Sequence, residues 1–302
     1  MFAGKALQVG GPGCVSTPPR KTHTWIQKAA DLSGLGTEAI HWIDGKQGMN
    51  LDELQARYRR DREEGYQPFL VVGSAGTVST GAVEPLPELA AFCQEHSLWF
   101  HVDGAYGAFA NGLVGAPPEL KGLESADSVA VDPHKWLYAP LEAGCALVRN
   151  PATLRKAFSY HPAYYNFEGE GLNYYDVGPQ NSRGFRALKV WLALQQAGAA
   201  GYREMIQDDI TLARYLYALA VAHPELEAIT HHLSVITLRY VPPELRTGLG
   251  SAETEGYLNE LNRRLLEAIE EERRGISFEC SNRRHVRPAV LHREFPDYGW
   301  RH

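Results

Sequence analysis

The chain is poor in cysteine, with 4 among 302 residues. Cys14, Cys93, Cys145 and Cys280 are scattered and form no Cys-x-x-Cys pair. That excludes a disulfide framework and a zinc knuckle, and makes a reducing, cytoplasmic setting the expectation. Long apolar runs are missing too: the longest uncharged stretches, such as Tyr215–Ala222, fall far short of the ~18 residues a membrane-spanning helix needs. Met1–Gly13 holds no sustained apolar segment of the secretory kind. Positive charge is not in excess, since 30 Lys and Arg face 36 Asp and Glu for a net charge of −6, so neither nucleic acid nor a membrane surface is expected as a partner. No Gly-x-Ser-x-Gly occurs, which weakens an α/β-hydrolase reading, and Gly10-Gly11-Pro12-Gly13 matches neither common phosphate-loop pattern. His231-His232 lacks the i, i+4 spacing of a helical zinc site, so surface histidines and no metal are expected. Internal repeats and low-complexity segments are also lacking.

What is present has the composition of an ordinary globular protein, with 44% hydrophobic residues, 29 Gly and 18 Pro. Asn50 can cap a helix whose apolar positions Leu51, Leu54 and Tyr58 fall three and four apart, and Gly65 stops it. The run Phe69–Val72 reads as a strand buried on both sides. Pro87 suits a helix start, Leu89, Phe92 and Cys93 give that helix an apolar face, and Leu98–Val102 is the next strand. Strand, helix and strand in this order predict a parallel, right-handed βαβ unit. Ser128–Val131 and Cys145–Val148 are further strand candidates, so the sheet is α/β. Beyond Arg183 the periodicity becomes helical through Leu188–Leu194 and again over Ile210–Leu219. Leu233–Tyr240 alternates as a strand, and Gly256–Ile269 is helical. The boundary between a large domain, 1–188, and a small one, 189–302, is expected near Leu188.

In an open α/β sheet, ligands gather beyond the carboxyl ends of the strands. Asp103 follows a strand directly, inside His101-Val102-Asp103-Gly104-Ala105-Tyr106-Gly107, where glycines permit close backbone approach to a ligand. Asp132-Pro133-His134-Lys135-Trp136 follows the strand Ser128–Val131, so a carboxylate and an amine are expected to enter one cleft from neighbouring strand ends. An amine flanked by Trp136 and Leu137 suits Schiff-base chemistry with an aldehyde, and an aspartate at a strand end suits a cationic heterocycle. Pyridoxal phosphate offers both partners. Taken singly, Lys135 is equally a surface lysine, Asp103 a turn residue and Thr77 a loop hydroxyl; the combination points to chemistry.

These two segments resemble the group II pyridoxal-phosphate-dependent amino-acid decarboxylases. The likeness continues through Thr22-His23-Thr24-Trp25, Gly76-Thr77-Val78-Ser79-Thr80-Gly81-Ala82 and the stretch Ser182–Trp191, covering roughly residues 20 to 270. The resemblance implies part of a fold type I, aspartate aminotransferase-like large domain with a mainly parallel sheet, followed by a smaller α+β domain. By the same resemblance Lys135 is the Schiff-base lysine, Asp103 pairs with the pyridine nitrogen, Ala105 packs beneath the ring and His23 stacks over it. Thr77 lies beside the cofactor's polar edge, and His134 contacts the phosphate or the substrate carboxylate. Asp132 stands where many aromatic decarboxylases carry Asn near the phosphate, and would repel it unless turned away.

Within His161-Pro162-Ala163-Tyr164-Tyr165-Asn166-Phe167, Tyr164 matches the tyrosine that returns a proton to the α-carbon. Related aldehyde-forming enzymes carry phenylalanine there, so Tyr164 favours simple decarboxylation. The expectation is a homodimeric carboxy-lyase that converts an L-amino acid, aromatic by resemblance, to its amine and carbon dioxide. Family members are longer, with an N-terminal helical segment and a Ser/Gly-rich phosphate turn for which no counterpart is found here, and the tail after Asn282 lacks the family's closing strand. The alternative expectation is therefore a truncated, non-catalytic homologue with weak or no pyridoxal phosphate binding.

Overall fold

A computed structural model of the chain describes residues 13–17, 22–45, 48–161 and 173–280. The first strand, β1 (Gly13–Thr17), is followed by helix α1 (Trp25–Leu32) and the short strand β2 (Ile40–Trp42). Helix α2 (Leu51–Glu63) begins where Asn50 suggests. Its side-chain oxygen accepts from the backbone N–H groups of Asp52 and Glu53 at 2.9 and 3.1 Å, and Arg60 and Arg62 complement the carboxyl end.

Strand β3 (Gln67–Ser74), helix α3 (Leu86–His96) and strand β4 (Trp99–Asp103) form the expected βαβ unit. Pro87 lies in the first turn of the helix, and Ser97 closes it in the left-handed region at φ 55°. Strands β5 (Ser128–Val131) and β6 (Cys145–Val148) complete a six-stranded sheet of order β2-β1-β3-β4-β5-β6, parallel except for β6, which runs antiparallel to β5. Helix α4 (Pro151–Phe158) follows.

Around β3 and β4 both sheet faces are buried, as the continuous apolar runs require, whereas the edge strand β6 is largely exposed. Val71, Phe100 and Val102 pack with Leu54, Leu86 and Leu89 on one side, while Val72 packs with Val15, Ile26 and Ile40 on the other. Each such side chain stabilises the fold by roughly 1.5–3 kcal/mol on leaving water.

The helical pattern after Arg183 becomes helix α5 (Arg186–Ala222), broken at Gly198, where φ 64° and ψ 175° leave the helical region. The break separates the two expected helices, which follow each other across a kink. The hairpin strands β7 (Leu226–His232) and β8 (Val235–Tyr240) pair with each other, and Leu233, assigned by sequence to the strand, sits in the turn at φ 51°. Helix α6 (Ala252–Cys280) is longer than its apolar pattern suggests.

By packing, the described residues up to His223, with Ala228–Leu238, form one compact unit; Pro224–Glu227 with the residues from Arg239 form a second. In the second unit Arg239 holds Glu227 at 2.5 Å and Glu255 at 2.5 and 3.2 Å, and the Asn262 amide braces Tyr240 through its N–H and C=O. Among the described residues no helix is long and apolar enough to cross a membrane.

Candidate active site

Ser74, Asp103 and Ala130 lie side by side in register across β3, β4 and β5, so the segments that leave these strands start from one edge. They wall a cleft of about 750 Å³. His23, Thr77, Asp103, Ala105, His134 and Lys135 all line it. The carboxylate and the amine that the sequence singles out therefore face one space. Tyr164 lies outside the described residues.

Backbone bonds hold the three segments together. Asp132 N–H donates to Ala105 C=O at 3.1 Å, and Gly107 N–H donates to Ala75 C=O at 3.0 Å. Gly76, at φ 92°, passes so close to Tyr106 and Gly107 that an added Cβ would lie 2.8 Å from the Tyr106 ring. Here glycine is required both by conformation and by space. Tyr106 stacks on Trp136 with centroids 4.3 Å apart and planes at 30°, tying the turn that carries Ala105 to the turn that carries Lys135.

Asp103 ends β4 with both carboxylate oxygens engaged. Oδ2 accepts the Trp25 indole N–H at 2.7 Å, and Oδ1 accepts Ala105 N–H at 3.2 Å. Lys135 Nζ is 3.0 Å from Asp132 Oδ2, and its side chain is 41% exposed, so the amine is accessible. Asp132, where the resemblance raises the question of phosphate repulsion, thus turns toward the lysine. His134 is pinned by its Nδ1, which lies 2.6 Å from Ala143 O and 3.0 Å from Ala143 N. Thr77 is buried with its hydroxyl 2.9 Å from that of Thr80. His23 is exposed, and its Nδ1 accepts Trp25 N–H at 3.2 Å at the start of α1.

Several residues of the cleft and its supports have no role in the sequence reading. Trp25 stands inside a quoted motif but without a function. His101 Nδ1 lies 2.8 Å from Ser128 Oγ, which also accepts the Trp99 indole N–H at 2.8 Å. Ser128 Oγ thus joins the Trp99 indole to the His101 imidazole, bridging β4 and β5. Burial, partly opposed by Asp103, draws the His101 pKa below its ordinary value. Asp209, on α5, accepts the Trp136 indole N–H at 2.8 Å and the Tyr138 hydroxyl, whose pKa is pushed up to about 12 by burial and then by this carboxylate. Tyr106 hydroxyl meets Ser234 in the β7–β8 turn. Nothing local in the sequence announces Asp209 or Ser234, because each acts across more than 70 residues of chain.

A second polar cluster, Cys14, His41 and Asp61, is fully buried and has donor atoms close enough for a metal. Arg57 already fills its open side, with Nε 2.6 Å from Asp61 Oδ1 and Nη2 3.2 Å from His41 Nε2. A guanidinium there balances the carboxylate and excludes a cation; burial first, then Asp61, push the Cys14 thiol up to about 12. His231, expected at the surface, is only half exposed, and its ring lies beside Tyr217 at 5.7 Å.

The pyridoxal-dependent decarboxylase conserved domain matches residues 15–241. The chain belongs to that family. Among curated relatives, an aromatic-L-amino-acid decarboxylase of Bacillus atrophaeus is 37% identical over 257 residues, which are 82% of this chain and 52% of the relative. Acidic amino acid decarboxylase GADL1 of Homo sapiens is 33% identical over 247 residues, 78% of this chain and 47% of that protein. Of the solved structures, Oryza sativa TDC with PLP and tryptamine matches at a TM-score of 0.80 and 26% identity, covering 90% of this chain and 56% of that one. Mouse CSAD in apo form matches at 0.77 and 30%, covering 84% and 54%. The chain spans about half the length of the curated relatives it matches. The mostly parallel sheet with helices accordingly is part of the fold type I large domain.

The cleft's donor set fits the family's cofactor. It presents one carboxylate for a ring nitrogen, one primary amine for an aldehyde, and small side chains, Ala105 and Ala130, in the same wall.

Proposed function

We propose that this chain binds pyridoxal phosphate in the cleft and decarboxylates an L-amino acid, of the aromatic class, to the amine and carbon dioxide. The observation that carries the reading is that Asp103 and Lys135 line one cleft from the ends of adjacent strands. Bound there, the cofactor supplies an electron sink for the electron pair left when the carboxylate departs. Asp103 would keep a proton on the ring nitrogen, and Lys135 Nζ, 3.0 Å from the Asp132 carboxylate, would be the nucleophile for the aldehyde once it has given up its proton. His23, Ala105 and Thr77 would hold the ring, and His134 would serve the phosphate or the substrate carboxylate; all four line the cleft. Tyr164 returns the proton to the α-carbon. The aromatic class follows the names of relatives, since nothing in the cleft alone separates it from the acidic class. We further propose a homodimer in the cytoplasm, in keeping with free thiols at Cys14, Cys93 and Cys145.

A second reading, a non-catalytic homologue with weak cofactor binding, draws support from charge. Among the described residues lining the cleft, Lys135 is the one Lys or Arg, so a bound phosphate has no cation of its own there.

Titration of the chain with pyridoxal phosphate tests both. The first reading expects saturable visible absorbance that Lys135→Ala removes, followed by amine release from one or more members of an amino-acid panel containing aromatic and acidic substrates. A band that persists in Lys135→Ala contradicts the lysine's role. No saturation, or saturation without amine, favours the second reading.

A further inference from the structure

We infer that Trp25 is a positioning residue for Asp103, acting on the cofactor's ring nitrogen through that carboxylate; the inference rests on the proposed cofactor site. Trp25 Nε1 lies 2.7 Å from Asp103 Oδ2, a short contact for a neutral donor on a carboxylate. The indole is half-buried, lines the cleft, and meets the His101 ring edge-on with centroids 5.5 Å apart. Its backbone is fixed as the first residue of α1, with its N–H on His23 Nδ1. The side chain cannot swing freely.

A carboxylate at a strand end turns about its terminal bond unless something holds it. Ala105 N–H, at 3.2 Å, secures Oδ1, while the indole N–H secures Oδ2, and together they set the plane of the group. Each oxygen accepts more than one hydrogen bond, so both retain capacity for a ring N–H. Trp25 therefore orients the acceptor before the ring arrives rather than competing for it, which lowers the entropy lost on binding. His23 and Trp25, two residues apart, thus divide the work: the imidazole is assigned to the ring face and the indole to the group that meets the ring's edge.

The test is a double-mutant cycle on the full chain, reading the cofactor dissociation constant and the position of the visible band. Trp25→Phe removes the N–H and keeps an aromatic wall; Asp103→Asn removes the charge it orients. Trp25→Phe is expected to weaken cofactor binding roughly tenfold or more and to shift the band. In the Asp103→Asn background the same change is expected to cost little, because the group that the indole orients no longer carries the charge that would hold the ring proton. In the cofactor-free protein Asp103→Asn should also alter the emission of Trp25, measured as the difference lost in the Trp25→Phe background. Equal effects of Trp25→Phe in both backgrounds indicate a packing role and overturn the inference, as does an unchanged dissociation constant and band. If the unmutated chain forms no band, the functional reading itself fails and this inference goes with it; a band that only Trp25→Phe leaves intact sinks the inference alone. Circular dichroism and thermal melts verify that each variant is folded.

Discussion

At the level of single residues, the cleft's acid response is written in His101. Ser128 Oγ lies 2.8 Å from its Nδ1, and burial draws its pKa below the ordinary 6.5. In the unfolded chain the ring takes up a proton as the pH falls through about that ordinary value; in the native chain it resists until lower pH. Between the two, the unfolded state binds more protons, so this residue's contribution to stability is complete above the ordinary pKa and is lost as pH falls toward the native one. Replacing His101 with Gln is expected to flatten the decline in urea midpoint between neutral pH and about pH 5. Parallel declines in the two proteins would show that another group governs it. Asp103 and Lys135 were legible at this scale because strand-end position and residue type together announce their chemistry. Trp25 and His101 were in view as letters of motifs, but their partners are set by side-chain direction, which spacing alone does not express.

At the level of elements, short-range rules located β3, α3, β4, β5 and β6 within a few residues, since continuous apolar runs bounded by Gly, Pro and Ser leave little choice. The break in α5 falls between its two expected helical stretches, Leu188–Leu194 and Ile210–Leu219, although no local signal marks the residue at which it occurs. Gly198 is compatible with a continuous helix by pattern, yet its φ 64° and ψ 175° belong to a region that is almost glycine's alone. An added Cβ there meets nothing within 4 Å, so the expected cost is purely conformational. Gly198→Ala should destabilise the fold by about 1–2 kcal/mol, visible as a lower thermal midpoint. A rise instead would mean that an unbroken helix is the better conformation. Strand β7 escaped the sequence reading because Leu226–His232 does not alternate cleanly, and its pairing depends on the turn at Leu233.

For the whole molecule, burial is uneven. Leu212, Tyr215, Leu216 and Leu219 follow helical spacing on α5, and each is about half or more exposed. A soluble monomer rarely leaves such a stripe in water. It supports the proposed homodimer without identifying which surface is shared. Sedimentation velocity on the purified chain is expected to give twice the mass of one chain at micromolar concentration, and a stable monomer would contradict the proposal. The domain boundary proposed at Leu188 divides the sequence where strands give way to helices, whereas packing keeps the whole of α5 with the sheet. Periodicity reports local conformation, not which neighbour an element will choose.

Asp209 steadies Trp136 and Tyr138, which follow Lys135 in and just after its turn, from a helix made some seventy residues later. During synthesis the ribosome therefore releases both polar partners proposed for the ring well before this prop. A product halted between Lys135 and Asp209 would carry the proposed pair without that prop, so capture of the proposed cofactor is expected only once α5 has been made.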